Sequence, residues 1–230
     1  MTQTGSHGGV SSRRKTHWFV ELLLVVVVAL VVSAFVRAFI AQAFFIPSGS
    51  MEQTLQEDDW IVVSKLYTRW GTVDRGDVVV FSDPGTWLPD AQSGSNPVRR
   101  ALEFVGLAPD PAEGDLVKRV IGVGGDTVAC CSPDGQITVN GTPVEEKYLY
   151  PGNSPSDAPQ GCSGEFKFSV PAGYLWVMGD HRAVSEDSRC QKGLEHFVPE
   201  DNIQGRTVAI IWPFSHWALV DRPSAFDDVS

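Results

Sequence analysis

Ser48 and Ser50 stand in the run Ile46-Pro47-Ser48-Gly49-Ser50-Met51, where proline and glycine favour a tight turn able to present a hydroxyl as a nucleophile. A serine nucleophile needs a base, and histidine is the usual one. His7 and His17 lie before or at the start of a long apolar stretch, and His181, His196 and His216 follow it, none in an obvious Asp-partner pattern. The other solution is a lysine amine, which works once desolvation draws its pKa down from about 10.4 toward working pH.

Lys118 is the lysine best placed for that, because it interrupts Leu116-Val117-Lys118-Arg119-Val120-Ile121, a run otherwise able to fill a core. Strand alternation sets Lys118 beside Leu116 and Val120, and Arg119 between Val117 and Ile121. Periodicity leaves open which cation points inward, and a strand with two edge cations fits the same pattern. Chemistry separates them, since arginine effectively cannot lose its proton and a buried lysine can.

A third polar island, Gly179-Asp180-His181-Arg182 followed by Ser185-Glu186-Asp187-Ser188-Arg189, comes directly after the apolar residues 174–178. An Asp and an Arg two apart can pair and brace a loop, while a hydroxyl there can hold a lysine amine in register. The plain reading of the same island is a solvated turn with incidental charges.

These residues need elements to hold them. Residues 22–36 carry no charge and are almost entirely Leu, Val and Ala, with apolar flanks at 18–20 and 38–46. A helix over 22–36 covers only about 22 Å at 1.5 Å per residue, short of a hydrocarbon core of roughly 30 Å, so the flanks must contribute to a span. Arg37 then snorkels toward the headgroups. Arg13, Arg14 and Lys15 precede the stretch, so the positive-inside tendency keeps the N-terminus cytoplasmic and sends the rest outward. The rival is a cleaved secretory signal with Ala41-Gln42-Ala43 as its small-x-small site, although Arg37 and several aromatics intervene.

After Ile46 short β-branched runs alternate with turn residues, the pattern of a mainly β, antiparallel domain. Strands are expected at 60–65, 77–81, 116–122, 127–129, 136–139, 166–170, 174–178 and 207–212, with Gly124-Gly125-Asp126 and Asn140-Gly141 as turns. The expected organisation is a cytoplasmic tail 1–17, a transmembrane anchor 18–45, an exported β catalytic domain 46–222 and a C-terminal tail 223–230. Segments 83–114, with a short helix at 98–105, and 151–164 are polar, Pro-rich surface insertions.

The net charge of −10 excludes a nucleic-acid partner, because phosphate binding draws on clustered Lys and Arg that the body of the chain lacks. Cys130, Cys131, Cys162 and Cys190 fall in the exported part, where disulfides form. Vicinal cysteines rarely bond to each other, so at least one bridge to Cys162 is expected. No Cys or His pair has zinc-ligand spacing.

In this order and after an apolar anchor, the islands resemble the type I signal peptidases of bacteria. Pro47-Ser48-Gly49-Ser50-Met51 with Thr54-Leu55 is similar to that family's nucleophile box, and Gly76-Asp77-Val78-Val79-Val80-Phe81 to its next one. Val117-Lys118-Arg119-Val120-Ile121-Gly122 with Gly125-Asp126 is similar to its lysine box, and Gly179-Asp180 with Arg182, then 185–189, to its last. The resemblance runs from the anchor to Trp212, outside the two insertions. Gln53 and His181 depart from it, standing where many members have proline and asparagine.

The resemblance implies an antiparallel β catalytic core in which Ser50 is the nucleophile, Lys118 the general base and Ser185 the group that orients the amine. It implies an oxyanion site made by the Ser50 backbone amide and the Ser48 hydroxyl, with Asp187 and Arg189 paired beneath it and Asp180 joining that support. No cofactor or metal is implied. The implied partners are the lipid bilayer and preproteins with small residues before the cut, which a single-pass enzyme meets at the outer face of the cytoplasmic membrane. Two rivals remain at this stage: a self-cleaving Ser-Lys regulator, which the anchor disfavours, and a non-enzymatic membrane-tethered β domain that only binds.

Overall fold

The structure is a computed structural model that describes residues 13–66, 71–85, 87–88 and 114–229. The expected helix at 98–105 lies outside the described residues, as does most of the 83–114 insertion.

Helix α1 (Arg13–Phe39) contains an apolar span, Trp18–Phe39, with mean hydropathy 3.0. Its 22 residues reach about 33 Å, enough to cross a hydrocarbon core without help from the following chain. The anchor was expected to continue to residue 45, and here the structure differs: Ala41–Phe45 is strand β1, paired antiparallel with β2 (Trp60–Ser64) from Ala41↔Ser64 to Phe45↔Trp60. Apolar composition does not distinguish a helix continuing from a strand beginning. The buried alternation of Gln42, Phe44 and Ile46 shows the period of a strand, and the Ala41-Gln42-Ala43 triplet belongs to the folded sheet.

The remaining strands are β3 (Val78–Ser82), β4 (Asp115–Gly122), β5 (Thr127–Cys130), β6 (Ile137–Val139), β7 (Thr142–Pro143), β8 (Phe166–Ser169), β9 (Tyr174–Met178), β10 (Val198–Pro199), β11 (Ile203–Trp212) and β12 (Ala218–Leu219). Each expected strand is present within a few residues. Among the described residues they form one sheet in the order β1-β2-β11-β3-β4-β9-β10, with β12 beside β11, and a smaller one in the order β7-β6-β5-β8. The pairings are antiparallel throughout.

The position of β4 decides what its cations do. It lies between β3 and β9, with Val79 opposite Lys118 and Met178 opposite Arg119. Both cations are therefore interior, at 3% and 2% exposure, and the alternative of two edge cations does not hold. One apolar cluster gathers Phe44, Ile46, Met51, Leu55, Ile61 and Val80, and another packs Val79, Phe81, Val120 and Val177. The small sheet closes over Ile121, Trp176 and Met178.

Two expectations change. Residues 223–229 are not a free tail, since Phe226 and Val229 are buried in the small-sheet cluster, Phe226 stacks on Tyr148, and the Val229 carbonyl accepts from Arg75 Nη1 at 2.9 Å. Two apolar residues in so short a segment carry no readable period. Cys162 bridges to Cys190, a bridge of the expected kind, but Cys130 bridges to its neighbour Cys131. The peptide between that vicinal pair is cis, with Cα atoms 3.0 Å apart.

Candidate active site

The turn carrying Ser50 is fixed from below. Ile46, Met51 and Leu55 are buried, so the chain entering and leaving the turn is held by apolar side chains. Gly49–Met51 is a single 3-10 turn, followed by bonds from Glu52 N to the Gly49 carbonyl at 3.1 Å and from Leu55 N to the Met51 carbonyl at 2.8 Å. Ser48 precedes the turn in extended conformation, and its side chain makes no capping bond to it. That hydroxyl remains available to the groove it lines.

Lys118 Nζ lies 2.7 Å from Ser50 Oγ. Burial is the main influence on the amine and pushes its pKa down to about 8, against the carboxylates of Asp187, Asp180 and Glu186, which favour the ammonium. A lysine poised there is half neutral near pH 8 and keeps a minor neutral fraction at pH 7, and a neutral amine at hydrogen-bond distance from a hydroxyl can remove its proton. The pair opens on a groove of about 470 Å³ whose walls include Ser48, Glu52, Trp87, Leu116, His181 and Glu186.

The chain beyond β9 forms the wall behind the amine. Asp187 pairs with Arg189 at 2.8 Å, both fully buried side chains, and its other oxygen accepts from Gly179 N at 3.1 Å. Burial alone pushes the Asp187 carboxyl up, but Arg189 and the backbone donors outweigh it and hold the carboxyl below its usual range. This is the pairing the resemblance implied.

Asp180 does not use the arginine two residues on, Arg182. Instead it takes a bidentate bond from Arg119, Nε at 2.8 Å and Nη2 at 2.6 Å, and accepts from Thr54 Oγ1. Arg119 Nη1 donates to the Gly76 carbonyl at 2.7 Å, and its guanidinium lies 4.2 Å from the Tyr148 ring centre. Arg182 turns the other way, onto buried Glu146 and the Gly179 and Pro155 carbonyls. Adjacent backbone carries their side chains in different directions, so each finds a partner far away in sequence.

Ser185 stands close to the nucleophile. A Cβ added to Gly179 would lie 2.2 Å from Ser185 Oγ and 2.4 Å from the Ser50 carbonyl oxygen, so glycine is what lets the two segments approach. Among the described residues, Ser185 Oγ is buried without a hydrogen-bond partner, so the expected bond to the Lys118 amine is not made in this structure.

Arg119, Thr54, Glu146 and Tyr148 are the supporting residues that sequence reasoning did not assign. Arg119 left a signal as a second cation in the apolar β4 run, and Thr54 as part of the nucleophile box; Glu146 and Tyr148 left none. Of the histidines, His181 lines the groove, whereas His196 bonds the Ser188 carbonyl and His216 bonds Asp59. Among the described residues no group of three or more His, Cys, Asp or Glu side chains is arranged to hold a metal ion. The 151–164 insertion packs on this site, because the Asp157 carbonyl accepts from Arg189 and the Pro155 carbonyl from Arg182.

Residues 19–212 match the model of the family described as signal peptidase, peptidase S26. The chain is 41% identical over 223 residues to signal peptidase I of Mycobacterium tuberculosis, covering 87% of this chain and 74% of that one. It is 40% identical over 240 residues to a probable signal peptidase I of Mycobacterium leprae, covering 92% and 82% respectively. Signal peptidase I of Leptolyngbya laminosa is 32% identical over 191 residues, with 83% and 78% covered.

Proposed function

The chain belongs to the signal peptidase family, peptidase S26, as a membrane-associated serine endopeptidase acting on preproteins, and from that premise we propose that Ser50 and Lys118 carry its reaction. Neutral Lys118 takes the Ser50 proton as Oγ attacks the scissile carbonyl, and the resulting ammonium gives that proton to the departing amine. The same amine then activates the water that releases the acyl-enzyme. Oxyanion charge is met by the Ser50 N–H and the Ser48 hydroxyl, where losing one donor typically costs about 3 kcal/mol in the barrier. Ser185 orients the amine once substrate is bound, a role supported by its buried, unpartnered hydroxyl beside Gly179. Asp180, Asp187 and Arg189 support the wall behind it.

The observation that carries the assignment is the 2.7 Å approach of Nζ to Oγ in a site dry enough to bring the lysine to about 8. Small side chains before the cut follow from the family reading. A single span with the catalytic domain outside is supported by the basic residues ahead of α1 and by four paired cysteines, a state that a reducing cytoplasm does not maintain. Contact of the domain with lipid is supported by the exposed side chains of Trp212, Phe214, Trp217 and Leu219 on one edge of the large sheet.

The test is preprotein cleavage by the full chain in detergent. Ser50→Ala and Lys118→Ala should each lower kcat/KM by about three orders of magnitude or more, with circular dichroism unchanged. Wild-type turnover in either variant would defeat the assignment.

A further inference from the structure

Glu52 and His181 meet across the mouth of the groove. The Nδ1 atom of His181 lies 2.9 Å from Glu52 Oε2, and the imidazole stacks on Tyr150 with ring centres 3.9 Å apart and planes at 12°. A carboxylate only accepts, so Nδ1 carries the hydrogen that joins the two. Tyr150 is itself tied down, its N–H donating to the Asp180 carbonyl at 3.1 Å, so the ring is gripped between a hydrogen bond and an aromatic face.

The two residues belong to different parts of the machinery. Glu52 immediately follows the turn that carries Ser50, and its carboxyl folds back over Gly49, within 3.0 to 3.3 Å of where a Cβ there would sit. His181 begins the loop that carries Ser185, whose N–H donates to the His181 carbonyl at 3.1 Å. The backbone N–H of His181 also donates to the Ser50 carbonyl at 3.1 Å. The nucleophile segment is thus tied to the opposite loop on the Ser50 peptide, at Glu52 and, farther on, at Thr54 through Asp180. The Glu52 tie is the side-chain tie nearest the Ser50 turn, so it bears most directly on the direction of the turn's N–H groups. Reactive geometry requires such placement to be defined within about 0.5 Å.

We propose that Glu52 and His181 form a clasp that positions the Ser50 turn for transition-state binding, which makes both of them positioning residues for the peptidase reaction. The proposal rests on the Ser50 and Lys118 reading. It assigns His181 no proton transfer. It distinguishes ground-state from transition-state binding, because a swivelled turn still lines the groove but aims its donors away from the oxyanion.

The experiment compares the full chain in detergent with Glu52→Ala, His181→Ala, the double variant and His181→Asn, whose amide nitrogen sits near where Nδ1 does. Three quantities are read: cleavage kinetics on a signal-peptide substrate, affinity for the corresponding peptide boronate, and affinity for the released product peptide. The boronate reports on Ser50 directly, since Oγ bonds to boron and yields its proton to Lys118. Each alanine variant should lose about tenfold in kcat and in boronate affinity, with KM and product affinity within about twofold. The double variant should be no worse than either single one, and His181→Asn should recover most of the loss. Additive losses, equal weakening of boronate and product, or an asparagine variant as poor as alanine would each overturn the clasp. A wild-type protein that fails to bind the boronate would instead overturn the Ser50 reading beneath it.

Discussion

Lys118 and Arg119 are neighbours on one strand, and the protein treats their charges in opposite ways. On the groove face burial acts on Lys118 without an ion-pair partner in contact among the described residues, so the amine drops to about 8, the state suited to the base proposed above. On the far face Arg119 is equally dry, yet the Asp180 carboxylate bonded to it, with Tyr148 and Glu146 nearby, more than offsets the desolvation and raises its pKa. Burial alone does not decide whether a cation stays charged. The partners within reach decide it, and alternation along β4 delivers the two side chains to surroundings that answer differently.

The sharpest break of that contrast is Lys118→Arg. An arginine keeps the charge and the length but effectively cannot lose a proton, so kcat/KM should fall by about a thousandfold or more in a peptide assay, without rescue at high pH. Partial activity that grows with pH would show that some other group serves as the base. Next in size is Asp180→Ala, which strands the Arg119 guanidinium in a dry interior. Removing one partner of a buried pair typically costs about 3 to 5 kcal/mol, readable as a lowered denaturation midpoint. A shift no larger than that of a surface variant would mean that Gly76, Thr54 and Tyr148 satisfy the guanidinium by themselves.

The smallest effect concerns the groove face. On the proposal that the Lys118 amine is the base, kcat/KM should rise with pH through about 8 and be lost below it. Glu186 favours the ammonium, so neutralising it lowers the amine further. Glu186→Gln should therefore move the acid limb to lower pH by less than about one unit, a gain at neutrality. An acid limb that moves upward would contradict this account of what surrounds the amine.

Much of this arrangement is written locally. Alternating apolar residues announce β4 and β9, the Pro-Ser-Gly-Ser turn announces its hydroxyls, and an interior lysine stands out because lysines are seldom interior. What sequence could not deliver depends on direction. Asp180 has Arg182 close by in sequence, yet its partner is Arg119, 61 positions away, and Arg182 reaches Glu146, 36 positions away. Such pairs exist only after the sheet and its following loop are folded. Strand β1 was hidden for another reason: Ala41-Gln42-Ala43-Phe44-Phe45 continues the apolar composition of α1, and only its pairing with β2 reveals the change of period. Phe226 and Val229 are likewise core residues only because a surface exists for them to cover.

Between α1, which ends at Phe39, and β1, which begins at Ala41, stands a single residue, Ile40, whose carbonyl already accepts from Lys65 N at 2.9 Å. The tether has no slack, so the sheet takes its place directly from the end of the apolar helix, like a blade bolted to its mast rather than hung from a rope.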